Sequence, residues 1–495
     1  AITLNPSGSQ DNVADEWARF LQSSMGVNVF TVEAAKASGG QGPGWSALLQ
    51  SMATVSKGEY FDLSAEVDLG LALQKTLDDI FSKIQSVNSV FSSVSLPVSV
   101  NTQGTYLNQV FVGMFRPDES AYPRWNGNLK QYQLGQDRNN QLILQDAAGV
   151  NAINNQTGFI APCVRSFWTP LPNDNDDYWR FRPSGDCIDK AEAESPDGNV
   201  VEKGAQGYML RQLAVAERNM KTCTPGNCTA LTSFSDGNAS ITTTALGVQT
   251  TAERAALINW LRGLDNKGDE RKDLAGNPLT SSAMRPSVHG DVVHSRPVAI
   301  NYGTDTNAQV VVFYGANDGA LRAVNGNQSR AVGGAPPRGG LGAVVPPEFY
   351  GSIKRIHDNN QRINFPGLPT TLGPGAPKPY GMDGPMAAYR EGSTAWLYAS
   401  MRRGGRLSYA FRGSHPVAAR PKGRPGGAYP DNDTGCDTGM AGIGQTWSAP
   451  KVVKASGHGA GSTPVLIFGG GYDKCEDVAP APPASPCGTQ AKGSR

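Results

Sequence analysis

The chain has 495 residues, too many for one hydrophobic core, and its 44 Lys+Arg against 43 Asp+Glu leave a net charge of +1. Balanced charge argues against a dedicated nucleic-acid binder, which carries a basic stripe. No apolar run approaches the ~20 residues of a membrane span, and 59 Gly with 34 Pro beside 39% hydrophobic residues suit a turn-rich β protein rather than a disordered chain.

The first region, residues 1–94, reads as α/β. Asp11–Ser24 is a predicted helix with Val13, Trp17, Phe20 and Leu21 on one face. Asn28–Ala34 follows as a short strand, Trp45–Ala53 as a second helix and Gly58–Phe61 as a second strand. Ser64 caps a long helix, with Glu66 and Asp68 opposing its dipole and Leu69, Leu73, Leu77, Ile80 and Ile84 as its apolar stripe. The alternation of helix and strand implies a parallel sheet covered by helices.

The second region, residues 95–286, is a mixed β and loop segment. Thr105–Phe115, Asn128–Leu134 and Gln141–Gln145 read as strands. Asp146–Thr250 is polar and irregular, and Glu253–Arg262 is a short helix stopped by Gly263.

The third region, residues 287–495, repeats one pattern. Gln309–Asn325 is strand, tight Asn-Asp-Gly turn, strand; Thr394–Phe411 repeats it around Gly-Gly, and Pro464–Tyr472 begins another copy. The copies lie farther apart than the ~40–50 residues of a bare propeller blade. A blade needs neighbours to bury its faces, so the copies predict the first blades of a β-propeller that continues beyond Arg495. The start at Ala1 without Met, and the Pro/Ala-rich stretch before Arg495, read as the ends of a segment whose export signal lies upstream.

The 7 Cys suit an oxidising compartment. Cys223-Thr-Pro-Gly-Asn-Cys228 is a turn closed by two thiols, and Cys475 and Cys487 flank a Pro-rich loop. Zinc usually takes paired Cys-x₂-Cys or nearby His ligands, and neither occurs. Cys436 is the odd thiol, free or paired outside the segment.

Candidate sites are acidic loops. Asp431, Asp433 and Asp437 stand at alternate positions and offer calcium several oxygens, against the simpler reading of a solvated turn. In Asp265–Glu270 the internal Lys267 opposes a cation, so helix termination and solvation explain that loop. Asn173–Asp177 is a third acidic loop, read as solvated. His289, Asp291 and His294 suggest a metal triad, but on a strand the two His point to opposite faces. Met401–Arg406 is a basic hairpin tip, read as a turn capping a blade. No nucleophile elbow, phosphate loop or His-Glu-x-x-His occurs, so nothing positive supports an enzyme.

Several motifs together carry a resemblance. His289-Gly-Asp-Val-Val-His-Ser-Arg-Pro, Phe313-Tyr-Gly-Ala-Asn-Asp-Gly and Val345-Pro-Pro-Glu-Phe come first. Met401-Arg-Arg-Gly-Gly-Arg, Gly444-Gln-Thr-Trp-Ser-Ala-Pro-Lys and Phe468-Gly-Gly-Gly-Tyr-Asp follow. With Gly127-Asn-Leu-Lys-Gln-Tyr and Trp260-Leu-Arg-Gly upstream, they resemble the PilY/PilC family of type IV pilus proteins, in that family's order. The resemblance implies that residues 1–94 are the rear part of a von Willebrand A-like domain, its metal loop upstream, and that a modified propeller follows. It implies a secreted, non-enzymatic protein of the cell surface, outer membrane or pilus tip, which assembles pili with minor pilins. Such a protein adheres to host or abiotic surfaces and supports twitching motility. It also implies Ca²⁺, bound in an Asp-rich loop expected after Arg495. The alternative is a quinone-dependent dehydrogenase propeller, against which Trp396 and Trp447 fail to recur at one register.

Overall fold

The computed structural model describes residues 13–25, 27–36, 42–65, 69–70, 72–73, 76–77, 80, 91–95, 108–118, 120–154, 158–171, 194–225, 227–270, 284–304, 306–364, 373–392, 394–413, 420–423, 443–459 and 464–472. The chain divides into two compact units, Ala1–Ser89 and Val90–Arg495. Both helices and several sheets are present, and no sheet of the described residues closes into a barrel.

In the first unit, helix α1 (Ala14–Met25), strand β1 (Thr31–Glu33), helix α2 (Gly42–Val55) and strand β2 (Tyr60–Asp62) alternate as expected. β1 and β2 pair in parallel, with Thr31 opposite Tyr60. The expected packing face of α1 is corrected. Val13, Trp17 and Phe20 are exposed, and the helix buries Asp15 and Ala18 instead. The reason is a polar contact: Ser51 of α2 donates to Asp15 Oδ2 at 2.9 Å, which turns the small and acidic edge inward. Of the described helical residues between 69 and 80, Leu69, Leu73 and Leu77 of the expected stripe are exposed, while its Ile80 is buried together with Thr76.

The second unit is built from consecutive antiparallel runs. β3 (Phe91–Ser95), β4 (Gln109–Arg116), β5 (Asn126–Gln136) and β6 (Leu142–Gln145) form one four-stranded sheet in chain order. After helix α3 (Ala205–Arg211) comes a hairpin, β7 (Met220–Thr224) and β8 (Asn227–Ser233). Helices α4 (Thr243–Leu246) and α5 (Thr251–Leu261) follow. Then β9 (Val298–Asn301), β10 (Val310–Gly315), β11 (Leu321–Asn325) and β12 (Gly340–Val344) make a second antiparallel run. Its edge is extended by β7, which lies parallel to β12 with Met220 opposite Ala343, so the sheet takes strands from both sides of residue 286. Helix α6 (Tyr350–Asp358) leads to a third four-stranded run, β13 (Met386–Glu391), β14 (Thr394–Ser400), β15 (Ser408–Gly413) and β16 (Arg420–Gly423). A pair, β17 (Lys451–Lys454) and β18 (Pro464–Ile467), closes the described part.

The β-branched and aromatic run Val310-Val-Val-Phe-Tyr suits β10 to an interior place in the middle sheet, between β9 and β11. All six of its residues are buried, so both faces of that sheet are covered there. One hydrophobic cluster joins Phe111 and Leu129 of the first sheet, Val310, Val312 and Tyr314 of the second, and Leu397, Ala399 and Tyr409 of the third. A second cluster seats α4, α5 and α6 over the middle sheet through Leu246, Leu257, Trp260 and Ile353. α5 begins with a capping box, Thr250 Oγ1 accepting from the Glu253 amide at 3.1 Å while Glu253 accepts from the Thr250 amide at 3.0 Å.

The turns follow the pattern with one revision. In the β10–β11 turn Gly319 has φ 88°, and a Cβ there would lie 1.9 Å from Phe349 Cδ1, so geometry and space both demand glycine. In the β14–β15 connection the left-handed residue is Arg402, φ 53°. Gly404 serves there for close approach, since its Cβ would meet the Gly381 carbonyl at 1.9 Å. The stretch read as irregular holds the β7–β8 hairpin, closed by a disulfide between Cys223 and Cys228 with Cα atoms 4.9 Å apart. Cys163 is also disulfide-bonded. Cys187, Cys436, Cys475 and Cys487 lie outside the described residues.

Candidate functional site

The motif residues meet in a buried charged seam. The turn between β10 and β11 carries Asn317 and Asp318, and β11 carries Arg322. Asp318 takes a two-pronged ion pair from Arg322, Nη1 to Oδ1 at 3.0 Å and Nη2 to Oδ2. The same carboxylate accepts the Gly290 amide at 3.1 Å. Burial alone would raise its pKa, but the Arg322 charge and hydrogen bonds hold it far below the usual carboxylate range.

His289 sits against this pair. Its Nδ1 lies 2.7 Å from the Gly290 carbonyl and its Nε2 2.8 Å from the Tyr314 hydroxyl. A carbonyl only accepts, so the proton is on Nδ1 and Nε2 accepts from Tyr314. Burial, then the charge of Arg322, pushes the imidazole down to about 3. His289 is therefore a neutral structural group at ordinary pH. His294 has a separate partner, Nδ1 to Asp383 Oδ2 at 2.6 Å. Residues 289–294 are bends and an isolated bridge rather than the expected strand, yet the two His are still held apart.

Asn317 ties the seam together. Its Nδ2 donates to Asp291 at 2.8 Å and to Asp383 at 3.2 Å, and its Oδ1 accepts from the Gly381 amide at 3.1 Å. Lys378 answers the acids, with Nζ 3.4 Å from Asp291 Oδ2 and 4.1 Å from the Trp125 ring centroid. Burial pushes Asp291 up and Lys378 down. An ammonium thus stands against Asp291, where a cation would bind, so this acid does not fit calcium. Among the described residues no group of three or more His, Cys, Asp or Glu is placed to hold a metal ion. Asp431, Asp433 and Asp437 lie outside the described residues, as does Asn173–Asp177.

The loop Asp265–Glu270, expected to be solvated, is instead absorbed into ion pairs. Asp269 accepts from Arg124 at 2.9 Å and Lys267 at 3.0 Å, and Glu270 from Arg285 at 3.4 Å. Arg285 in turn lies 4.2 Å from the Trp260 ring centroid. The cavity beside this seam, lined by Trp125, Trp260, Arg285 and His289, measures about 10 Å³, room for a water at most.

A second convergence lies at the surface. Arg402 and Arg403 stand 4.1 Å and 5.2 Å from the Trp447 ring centroid, and the Tyr472 ring lies 5.2 Å from Trp447 at a tilt of 45°. Thr446 clamps the turn: its Oγ1 donates to the Leu407 carbonyl at 2.9 Å and accepts from the Met401 amide at 2.9 Å. Arg406 is not part of the exposed tip; it is buried, with Nε donating to the Ile443 carbonyl at 2.6 Å. Arg403 is exposed and Trp447 half-buried, so cations and rings face outward together.

Sequence reading missed Lys378, Asp383, Arg124 and Arg285. They sit in loops whose composition gives no periodic signal, and their charges are compensated by residues remote in the chain. Comparison with protein families, with curated proteins and with solved structures found no match.

Proposed function

We propose that the chain is a surface interaction protein of type IV pili, exported to the cell surface or pilus tip, where it promotes pilus assembly with minor pilins and adhesion. The observation that carries this reading is where the family-like motifs fall. They are dispersed over the sequence, yet His289, Asn317 and Asp318 meet at one junction and Met401–Arg406, Thr446 and Tyr472 at another. Motifs at such joints suit a propeller-like succession of sheets, in which the recurring element is the frame between neighbouring sheets. The cystine of the β7–β8 hairpin suits an oxidising compartment. No helix of the described residues is long and apolar enough to cross a membrane. Within this sequence, a calcium role falls to Asp431, Asp433 and Asp437.

The test is genetic and biochemical. Deleting the gene is expected to abolish surface pili and twitching, and immobilised protein is expected to retain minor pilins. Normal piliation in the deletion strain, or turnover of alcohols with added quinone and calcium, overturns the reading.

A further inference from the structure

A second cavity, of about 100 Å³, opens between α3, the turn Val215–Glu217 and strands β7, β11 and β12, lined among others by Leu210, Glu217, Arg218, Met220 and Arg322. It is smaller than a cavity of about 150 Å³ that takes benzene, so it suits a ligand of a few heavy atoms. Arg218 and Arg322 are among its lining residues, and they are only 5% and 4% exposed. Arg218 donates Nη1–H to the Arg262 carbonyl at 2.9 Å, and among the described residues no carboxylate pairs with it. Arg322 gives both Nη groups to Asp318, and its Nε–H is buried without an acceptor. Asp318, the carboxylate that opposes these charges, is thus already committed. Burial and then the charge of Arg322 push Arg218 down to about 9, with Asp318 opposing and Arg285 and Arg262 adding to the repulsion.

A buried guanidinium without a counter-charge is costly, and a buried N–H without an acceptor adds to that cost. Here both deficits border one cavity and call for the same partner. We propose that this cavity binds a small monoanionic carboxylate, its oxygens on Arg218 and the Arg322 Nε–H and its short aliphatic body against Leu210, Leu213 and Met220. A guanidinium fork accepts carboxylate and phosphate alike. Two features select the carboxylate. Glu217, exposed among the lining residues, repels a dianion more than a monoanion. The leucine and methionine side chains match an aliphatic body, which inorganic phosphate lacks. This site is independent of the surface role proposed above.

The 495-residue chain is to be titrated with propionate, inorganic phosphate and chloride at equal ionic strength, following Tm and the heat of binding. Propionate is expected to raise Tm saturably and to bind once per chain, while phosphate and chloride do not. Arg218→Gln is expected to weaken propionate binding by about tenfold or more, the loss of a charge-assisted hydrogen bond. Without ligand, that variant melts no lower than the parent, because the uncompensated charge is gone. Leu213→Trp fills the cavity, leaves both arginines in place, and is expected to lose binding as well; it decides the matter if Arg218→Gln does not fold. No saturable propionate effect, saturation by phosphate alone, or binding unchanged in both variants overturns the assignment.

Discussion

The β10–β11 and β14–β15 hairpins share one sequence pattern and end in opposite environments. The first puts Asp318 inside the molecule, 7% exposed, where Arg322, His289 and the Gly290 amide surround it. The second puts Arg402 and Arg403 at the surface, over Trp447 and Tyr472. What differs is what packs on the tip. Phe349 and the loop carrying Asp291 press on the first turn, whereas the segment carrying Thr446 holds the second from one side. A buried turn must compensate each charge it carries, so its residues become mutually dependent. An exposed turn carries its charges at the surface, where the loss of one strands no buried partner.

That contrast predicts a graded series of effects. Asp318→Asn leaves Arg322 buried without its ion pair and is expected to cost about 3–5 kcal/mol in urea unfolding. Adding Arg322→Met should restore part of that loss, because the stranded charge is removed; a double variant no more stable than Asp318→Asn would show that the pair is not what matters. His289 comes next. Burial pushes its pKa down to about 3 in the folded protein, against about 6.5 for an ordinary imidazole, so the unfolded chain takes up the proton first. Stability is full above about pH 6.5, falls as pH drops, and stops falling on this account below about pH 3, for a total on the order of 5 kcal/mol. Urea midpoints measured from pH 7 to pH 3 should therefore slope less in His289→Asn than in the parent. An unchanged slope would mean that His289 titrates normally. Gly319→Ala is expected to cost about 2 kcal/mol, from the positive φ and the contact with Phe349 together.

Local chemistry was legible and long-range compensation was not. The hairpin at Gln309–Asn325 could be read because β-branched residues flank Asn-Asp-Gly, and α5 because Thr250 and Glu253 cap it. The Cys223–Cys228 closure needed only their spacing. The outward face of α1 could not be read, because periodicity marks Trp17 and Phe20 as inward and only the Asp15–Ser51 contact reverses it. The seam was half visible. His289, Asp291 and the Asn317–Asp318 turn stood out as motifs, but the reading gave them no common centre. Their meeting depends on Lys378 and Asp383, which are 87 and 66 residues from Asp291 and Asn317 in the chain. Acidic loops misled for the same reason: Asp269 and Glu270 look solvated until Arg124 and Arg285 arrive from elsewhere.

The smallest expected effect on stability sharpens the comparison most. Arg402→Gln removes one cation from the face of Trp447 and leaves the Met401–Thr446 clamp intact. Exposed cation–π contacts are worth about 0.5–1 kcal/mol, and Arg403 still covers the ring, so unfolding should shift by less than about 1 kcal/mol. Arg402 also has φ 53°, and a glutamine there keeps that backbone at similar cost, so no further loss is expected from the turn. If the corner is a contact face, Arg402→Gln together with Trp447→Ala should reduce capture of minor pilins while Asp318→Asn, under conditions where it stays folded, should not. The reverse pattern would place recognition at the seam and make the exposed aromatic corner a mere seal on the third sheet.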